Sequence, residues 1–324
     1  MELESVRALK AELLAEDIGK QVVTQAALPE GALRKHSALP EHPPPPPLSL
    51  GISGRPHDYR LAVRVVAAYP GLQQEIERIN ARAKGEVSIR VVGRVAKQQP
   101  WTRKRQRPLL LGCSVGHVDI TAGTLGAIVR KPEDTRDRIL SNNHVLANED
   151  LAKTGDEILQ QGDYDGGKPP ADVCARLESA VALSQSGNLV DAAVALVSDG
   201  IGADPTTLTG LGALAGVRTS RVEDEERVFK VGRTTQVTEG FVTAFDVDDL
   251  SVEFDRGIIT FDSQIEISPA SGQPPFSLGG DSGSLIVDEE LRAVGLLFAG
   301  NDFDVTYANP ISTVLAALGV QLIF

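Results

Sequence analysis

Aromatic residues make up 4% of the 324 residues, cysteine occurs twice and methionine once. Nowhere does an apolar run approach the ~20 residues that span a bilayer as a helix. Two cysteines, Cys113 and Cys174, are too few for a disulfide framework and read as buried free thiols. The opening Met1-Glu2-Leu3-Glu4-Ser5-Val6-Arg7 carries acids and no apolar h-region, so it does not read as a secretory signal. These absences give the expectation of a soluble, cytoplasmic protein in a reducing compartment, without a membrane partner. Positive charge is also in deficit: 32 Lys and Arg face 44 Asp and Glu, for a net charge of −12. Such a balance repels phosphate backbones, which argues against nucleic acid as a partner. No P-loop, dinucleotide fingerprint or metal-ligand cluster of histidine and cysteine occurs, so neither cofactor nor metal is expected. Asp163-Tyr164-Asp165-Gly166-Gly167 faintly resembles a calcium loop, but later acidic ligands are missing, and it reads as a solvated turn.

What is present is a globular composition, 42% hydrophobic and 23% charged, rich in turn formers with 31 Gly and 19 Pro. Leu3, Val6, Leu9, Leu13, Leu14 and Ile18 mark a short amphipathic helix. Five prolines, Pro43 to Pro47, form a semi-rigid boundary, so residues 1–55 read as helix plus polyproline linker. Residues 56–96 read as a small β-α-β domain, with strands at 59–66 and 87–92 and a helix marked by Leu72, Ile76 and Ile79. The stretch 97–108 holds Lys97, Arg103, Lys104, Arg105 and Arg107 and reads as a basic linker. From 109 to 324, short β-branched runs recur between Gly, Asn, Asp and Pro, which indicates a mainly β barrel or sandwich. A last helix fits Ile311 to Leu318, started by Pro310 and stopped by Gly319.

The most specific signal is Gly279-Gly280-Asp281-Ser282-Gly283-Ser284 before the apolar Leu285-Ile286-Val287. A given Gly-Asp-Ser-Gly string arises by chance in about 1% of chains this long. Glycines on both sides let the backbone turn sharply, uncover the hydroxyl and aim two amides at one spot. A serine nucleophile needs a base, normally histidine. His36 and His42 lie in the N-terminal arm and His57 precedes the small domain. His144, in Ser141-Asn142-Asn143-His144-Val145, ends a strand at a polar turn and is favoured over His117, which reads as a surface or core histidine. The orienting acid is expected to be Asp191, which leads directly into the apolar Ala192 to Val197. Asp165, Asp172 and Asp199 sit in more polar company. The order His, Asp, Ser excludes the α/β-hydrolase order.

At these three blocks the chain resembles the chymotrypsin/trypsin-like serine peptidases, over about residues 109–324. Arg107-Pro108, Ala122 to Gly126, Leu140 to Ala147 and Val231 to Thr235 are similar, more narrowly, to the branch of plant Narrow Leaf proteins and their bacterial relatives. The resemblance implies a double β-barrel of chymotrypsin type with a C-terminal helix, the barrels near 109–200 and 201–324. It implies a serine endopeptidase with the triad His144, Asp191 and Ser282, and Gly280 and Ser282 amides as the oxyanion hole. Strand Gly295 to Gly300 would pair with an extended protein or peptide substrate. Phe276 would floor the specificity pocket, with Phe298 and Gly300 at its wall and mouth, favouring small or medium apolar side chains. Asp302 and Asp304 lie close enough in sequence to reverse that preference. The chain departs from the family in carrying Ser284 where many members have glycine. It also carries no Ile-Val-Gly-Gly-like segment to pair with Asp281 and no disulfide beside the histidine. A latent enzyme is a further expectation, with a regulatory partner engaging residues 1–108, and a homo-oligomer stays open. The competing reading is a catalytically silent barrel that binds peptides or assembles a complex.

Overall fold

A computed structural model of the chain describes residues 1–16, 48–66, 71–92, 99–301 and 304–324. The polyproline run, Ile18, His36, His42, Lys97 and Asp302 lie outside the described residues. The chain divides into two compact units, Met1–Gln98 and Gln99–Phe324.

In the first unit, helix α1 (Leu3–Ala15) precedes strands β1 (Leu48–Arg55) and β2 (Asp58–Val65), helix α2 (Leu72–Arg82) and strand β3 (Val87–Val91). The sheet order is β1-β2-β3, with β2 antiparallel to β1 and parallel to β3. Val6 and Leu13 of α1, Ile79 of α2 and Leu61, Val63 and Val65 of β2 bury one apolar cluster. The β-α-β element expected from the sequence is there. Strand β1, however, occupies part of what reads as linker, because Leu48, Leu50 and Ile52 alternate with small residues directly after the prolines and supply a third strand.

The second unit is mainly β. Its first sheet contains β4 (Ser114–His117), β5 (Ala127–Lys131), β6 (Asp134–Ser141), β7 (Glu157–Leu159), β8 (Val173–Ala180) and β9 (Ala193–Val197). Their order is β5-β6-β9-β8-β7-β4, antiparallel throughout. The ladder does not close, so this is a half-barrel.

The second sheet is built from β10 (Arg227–Gly232), β11 (Gln236–Val247), β14 (Gln264–Pro269), β15 (Leu285–Val287), β16 (Arg292–Gly300) and β17 (Thr306–Pro310). The order β16-β15-β10-β11-β14-β17 returns on itself through a β16–β17 pairing, giving a closed six-stranded barrel. Between β11 and β14 a separate hairpin projects, β12 (Leu250–Phe254) with β13 (Gly257–Phe261). The unit is thus mainly β, with one barrel closed and the other open.

The expected last helix, α3 (Ile311–Leu318), starts after Pro310 and ends on Gly319 at φ +63. Gln321 and Leu322 then pair with Arg130 and Val129, tying the end of the chain to the half-barrel. One apolar core runs from half-barrel residues such as Ile128, Ile139 and Val194 to Leu285, Val287 and Leu296 of the closed barrel.

The basic stretch 99–108 is packed rather than a free linker. Thr102 is fully buried and its hydroxyl donates to Arg233 O at 2.9 Å. Arg105 Nε donates to Asp172 at 3.0 Å and Arg107 Nη1 to Gln160 Oε1 at 2.6 Å. Arg105 and Arg107 thus serve bonds to residues far along the chain, which the sequence pattern does not reveal.

Candidate active site

His144 sits in the single helical turn Asn143–Leu146 that follows β6. Two buried asparagines fix that turn. Asn142 Nδ2 donates to Asp191 O at 2.8 Å, and Asn143 Nδ2 donates to Val181 O at 2.8 Å and Asp150 at 2.6 Å. Asp191, just before β9, is fully buried. Its carboxylate bonds His144 Nδ1 at 2.5 Å and accepts the His144 backbone amide at 3.2 Å. From the other barrel, Asn309 Oδ1 accepts the Asp191 amide at 2.9 Å, while Asn309 Nδ2 donates to buried Gln264 at 2.7 Å. Asn309 and Gln264 bear no local sequence signal, because their role comes from the far barrel. Burial pulls the imidazole pKa down, but the charge and hydrogen bond of Asp191 outweigh it, so the pKa ends above its usual value.

Phe254, from the β12–β13 hairpin, meets the imidazole edge-on at 6.0 Å. It stacks on Phe261 at 5.9 Å, and Phe261 packs on Phe298 at 4.7 Å. This aromatic row walls one side of the site. Phe254 was not legible as a site residue, since a hairpin tip shows no sequence sign of where it docks.

Ser282 stands where two hydrogen-bonded turns meet. Asp281 N donates to Leu278 O at 2.9 Å and Ser284 N to Asp281 O at 3.0 Å. The third residues of these turns are Gly280 at φ +94 and Gly283 at φ +92, the left-handed region that side chains avoid. A Cβ at Gly283 would lie 2.4 Å from Thr124 O and closer still to the Ser141 hydroxyl. The Gly280 and Ser282 amides find no acceptor among the described residues. Two unpaired N–H groups thus flank the Ser282 hydroxyl.

Asp281 is fully buried and anchors the turn. It accepts the amides of Thr234 at 2.7 Å, Thr235 at 3.2 Å and Leu278 at 3.0 Å, and the Thr235 hydroxyl at 2.7 Å. Lys230 Nζ, also fully buried, lies 3.7 Å away and donates to Thr235 Oγ1 at 2.5 Å. Desolvation lowers the Lys230 pKa to about 8, and Asp281 opposes that fall.

His144 and Ser282 line one cavity of about 270 Å³ with Ser277, Leu278, Leu297, Phe298 and Gly300. Glu149, Glu253 and Asp255 also line it, with the Glu149 carboxylate accepting the Asp255 and Arg256 amides. No hydrogen bond joins Ser282 Oγ to the imidazole. Phe298 and Gly300 are among the residues lining this cavity. Phe276 is not: its ring is buried in the core of the closed barrel with Val228, Val242 and Ile267, 5.7 Å from Lys230 Nζ. Side chains alternate across the chain here, so Ser277 faces the cavity instead, its hydroxyl 2.7 Å from that of Thr306. Asp304 is exposed and is not part of the lining, but it accepts a hydrogen bond from Asn301, which is.

His117 is a core histidine, 2% exposed, with its ring held by Asp156 and the Asp119 amide. Asp165 is not on a solvated turn. It is 5% exposed and pairs with Arg233 through two bonds of 2.6 and 2.8 Å. Cys113 and Cys174 are free and buried, and burial pushes the Cys113 thiol up to about 12. Among the described residues no cluster fit to hold a metal occurs, and no helix is long and apolar enough to cross a membrane.

No family model matches the chain, and no curated protein does. Among solved structures it is similar to protease A of Thermobifida fusca, at 15% identity over 66% of this chain and 98% of that one, TM-score 0.47. It is similar too to a glutamic-acid-specific serine protease that uses a histidine triad in substrate binding, at 18% identity over 66% and 100%, TM-score 0.48. The chymotrypsin of Cellulomonas bogoriensis gives 18% identity over 66% and 98%, TM-score 0.45. At such identities any assignment of chemistry comes from this chain's own geometry.

Proposed function

We propose that the chain is a serine endopeptidase. With Asp191 on Nδ1, the imidazole presents Nε2 as the basic nitrogen. Ser282 Oγ attacks the substrate carbonyl carbon as its proton passes to His144 Nε2. The carbonyl oxygen takes the negative charge and is received by the Gly280 and Ser282 amides. Collapse expels the amine, which leaves with the proton from Nε2, and an ester to Ser282 remains. Water then attacks that ester along the same path, and Ser282 is restored. The hydroxyl–imidazole bond absent here is of a kind that commonly tightens once substrate fills the site.

One observation carries this reading: two acceptor-free amides beside a hydroxyl, in the same cavity as an imidazole bound to a buried carboxylate. The strand edge fits it. Beyond Leu297, β16 pairs with β17 on one side and β15 has ended, so Phe298 to Gly300 offer an open edge to an extended peptide. Incubation with a denatured proteome, followed by mapping of new termini, tests the reading. New termini that vanish with Ser282→Ala support it, and an identical set from the variant contradicts it.

We further propose latency imposed by the N-terminal unit. Since residues 99–108 pack on the protease-like unit, the informative comparison is full chain against residues 99–324. A faster truncated form supports latency, and equal rates oppose it.

A further inference from the structure

We propose that Thr234 and Ser284 are positioning residues that set the oxyanion hole by clamping the carbonyls of its two peptides, and that Arg233 orients the first clamp. This rests on the serine-peptidase reading of Ser282 and adds residues that neither the triad nor the nucleophile motif contains.

In a trans peptide the C=O and the next N–H point in opposite directions, so whatever binds the carbonyl fixes where the amide aims. The Gly280 amide belongs to the Gly279–Gly280 peptide, which has no side chain on either residue to resist rotation. A half-turn of that plane would bring a carbonyl oxygen where negative charge must develop.

The Gly279 carbonyl accepts Thr234 Oγ1 at 2.8 Å. The direction of that bond follows from its neighbour: Arg233 Nη1 lies 3.1 Å from Thr234 Oγ1, and a guanidinium can only donate. Thr234 Oγ1 therefore accepts from Arg233 and spends its own proton on Gly279. The Arg233 charge is balanced by Asp165, and the Thr234 backbone is held by Asp281.

The Ser282 amide belongs to the Asp281–Ser282 peptide. Its carbonyl accepts Ser284 N at 3.0 Å and Ser284 Oγ at 2.6 Å. Ser284 is fully buried. A glycine there would keep the first bond and lose the second.

Between them, Thr124 Oγ1 accepts Arg233 N at 3.0 Å and donates to Gly280 O at 2.9 Å. Three consecutive carbonyls, Gly279, Gly280 and Asp281, are thus each met by a hydroxyl.

The test uses the full chain with Thr234→Val, Thr234→Ser and Ser284→Ala. Deleting one oxyanion donor outright costs roughly 10²- to 10³-fold in kcat, so freeing its peptide should cost less. We expect kcat to fall roughly 10- to 10²-fold in Thr234→Val and about 3- to 10-fold in Ser284→Ala, the smaller loss because one bond to Asp281 O survives. KM should hold within about 3-fold, because the interaction matters in the transition state. Affinity for a peptide aldehyde should fall in step with kcat, and Thr234→Ser should restore both. Relaxation dispersion on the Gly280 and Ser282 amides reads the clamps without turnover: flat in the native chain, exchanging in Thr234→Val and Ser284→Ala. Flat amides in both variants overturn the proposal whatever the activity. So does a kcat loss that Thr234→Ser fails to rescue. A native chain that neither labels at Ser282 nor cleaves peptides defeats the peptidase reading instead, and the amide dispersion still decides the clamps.

Discussion

The Lys230 ammonium lies 3.7 Å from the Asp281 carboxylate, and neither side chain is exposed to solvent. Asp281 gathers the amides that shape the turn at Ser282, so its buried charge needs a partner in place. In this chain that partner is internal, the Lys230 ammonium.

Lys230 titrates at about 8, so activity should fall on the alkaline side with a midpoint near that pH. The fall is not loss of fold at this group. Between about 8 and the ordinary lysine value the unfolded chain holds the proton that the folded chain has released, so folding is favoured as pH rises there. A kcat profile to pH 10, run beside thermal melts, checks this. Lys230→Met should be slower at every pH and lose the alkaline limb. A flat native profile to pH 10 would remove the role given to Lys230.

On the acid side, activity should rise through a midpoint above the usual histidine value of about 6.5, because the base must be neutral and Asp191 holds its pKa up. The stability supplied by the charged pair runs the other way: it is present below the unfolded histidine pKa and is lost as pH climbs through the folded one. Asp191→Asn should move the midpoint down, since burial is then opposed only by the charge of Glu149. It should also cost about 10⁴-fold in kcat, the scale known for the same change in a triad of this type. Steady-state kinetics from pH 5 to 9 on both proteins decides it.

Asp165 and Arg233 form a buried bidentate pair against the turn at Gly280. Asp165→Ala leaves the guanidinium buried and uncompensated, so unfolding free energy should drop by about 3–5 kcal/mol. Urea titration measures it. A loss under ~1 kcal/mol, the scale of exposed pairs, would show the pair to be solvated.

Glu149, Glu253, Asp255 and Ser277 line the cavity beside Ser282, while Leu297 and Phe298 supply apolar wall. A glutamate side chain entering it meets like charge, whereas leucine does not. Matched peptides should therefore show kcat/KM at least about 10-fold lower for glutamate than for leucine, and 1 M salt should narrow the gap. Equal rates at low salt would move the carboxylates out of the substrate's path.

Much of this was legible in the residues. Gly280 and Gly283 announce two tight turns around Ser282, and Asp191 leads an apolar strand, because backbone conformation and burial leave local marks. The last helix was marked by Pro310 and Gly319 for the same reason. What escaped was decided at a distance. Asn309 and Gln264 reach Asp191 from the opposite barrel, Phe254 arrives on a hairpin, and Asp165 finds Arg233 68 residues away. Phe276 was misplaced by one step of alternation, which sends its ring into the barrel core and Ser277 to the cavity. The half-barrel's short β7 and the strand β1 were lost among polar and proline-rich neighbours.

The most direct measurement is fluorophosphonate treatment of the full chain and of residues 99–324, with the adduct located by mass spectrometry. The expected adduct is a single one on Ser282, absent from Ser282→Ala and much slower to form in His144→Ala. Labelling that persists unchanged in Ser282→Ala, or no adduct on either native form, would contradict a hydroxyl activated by His144.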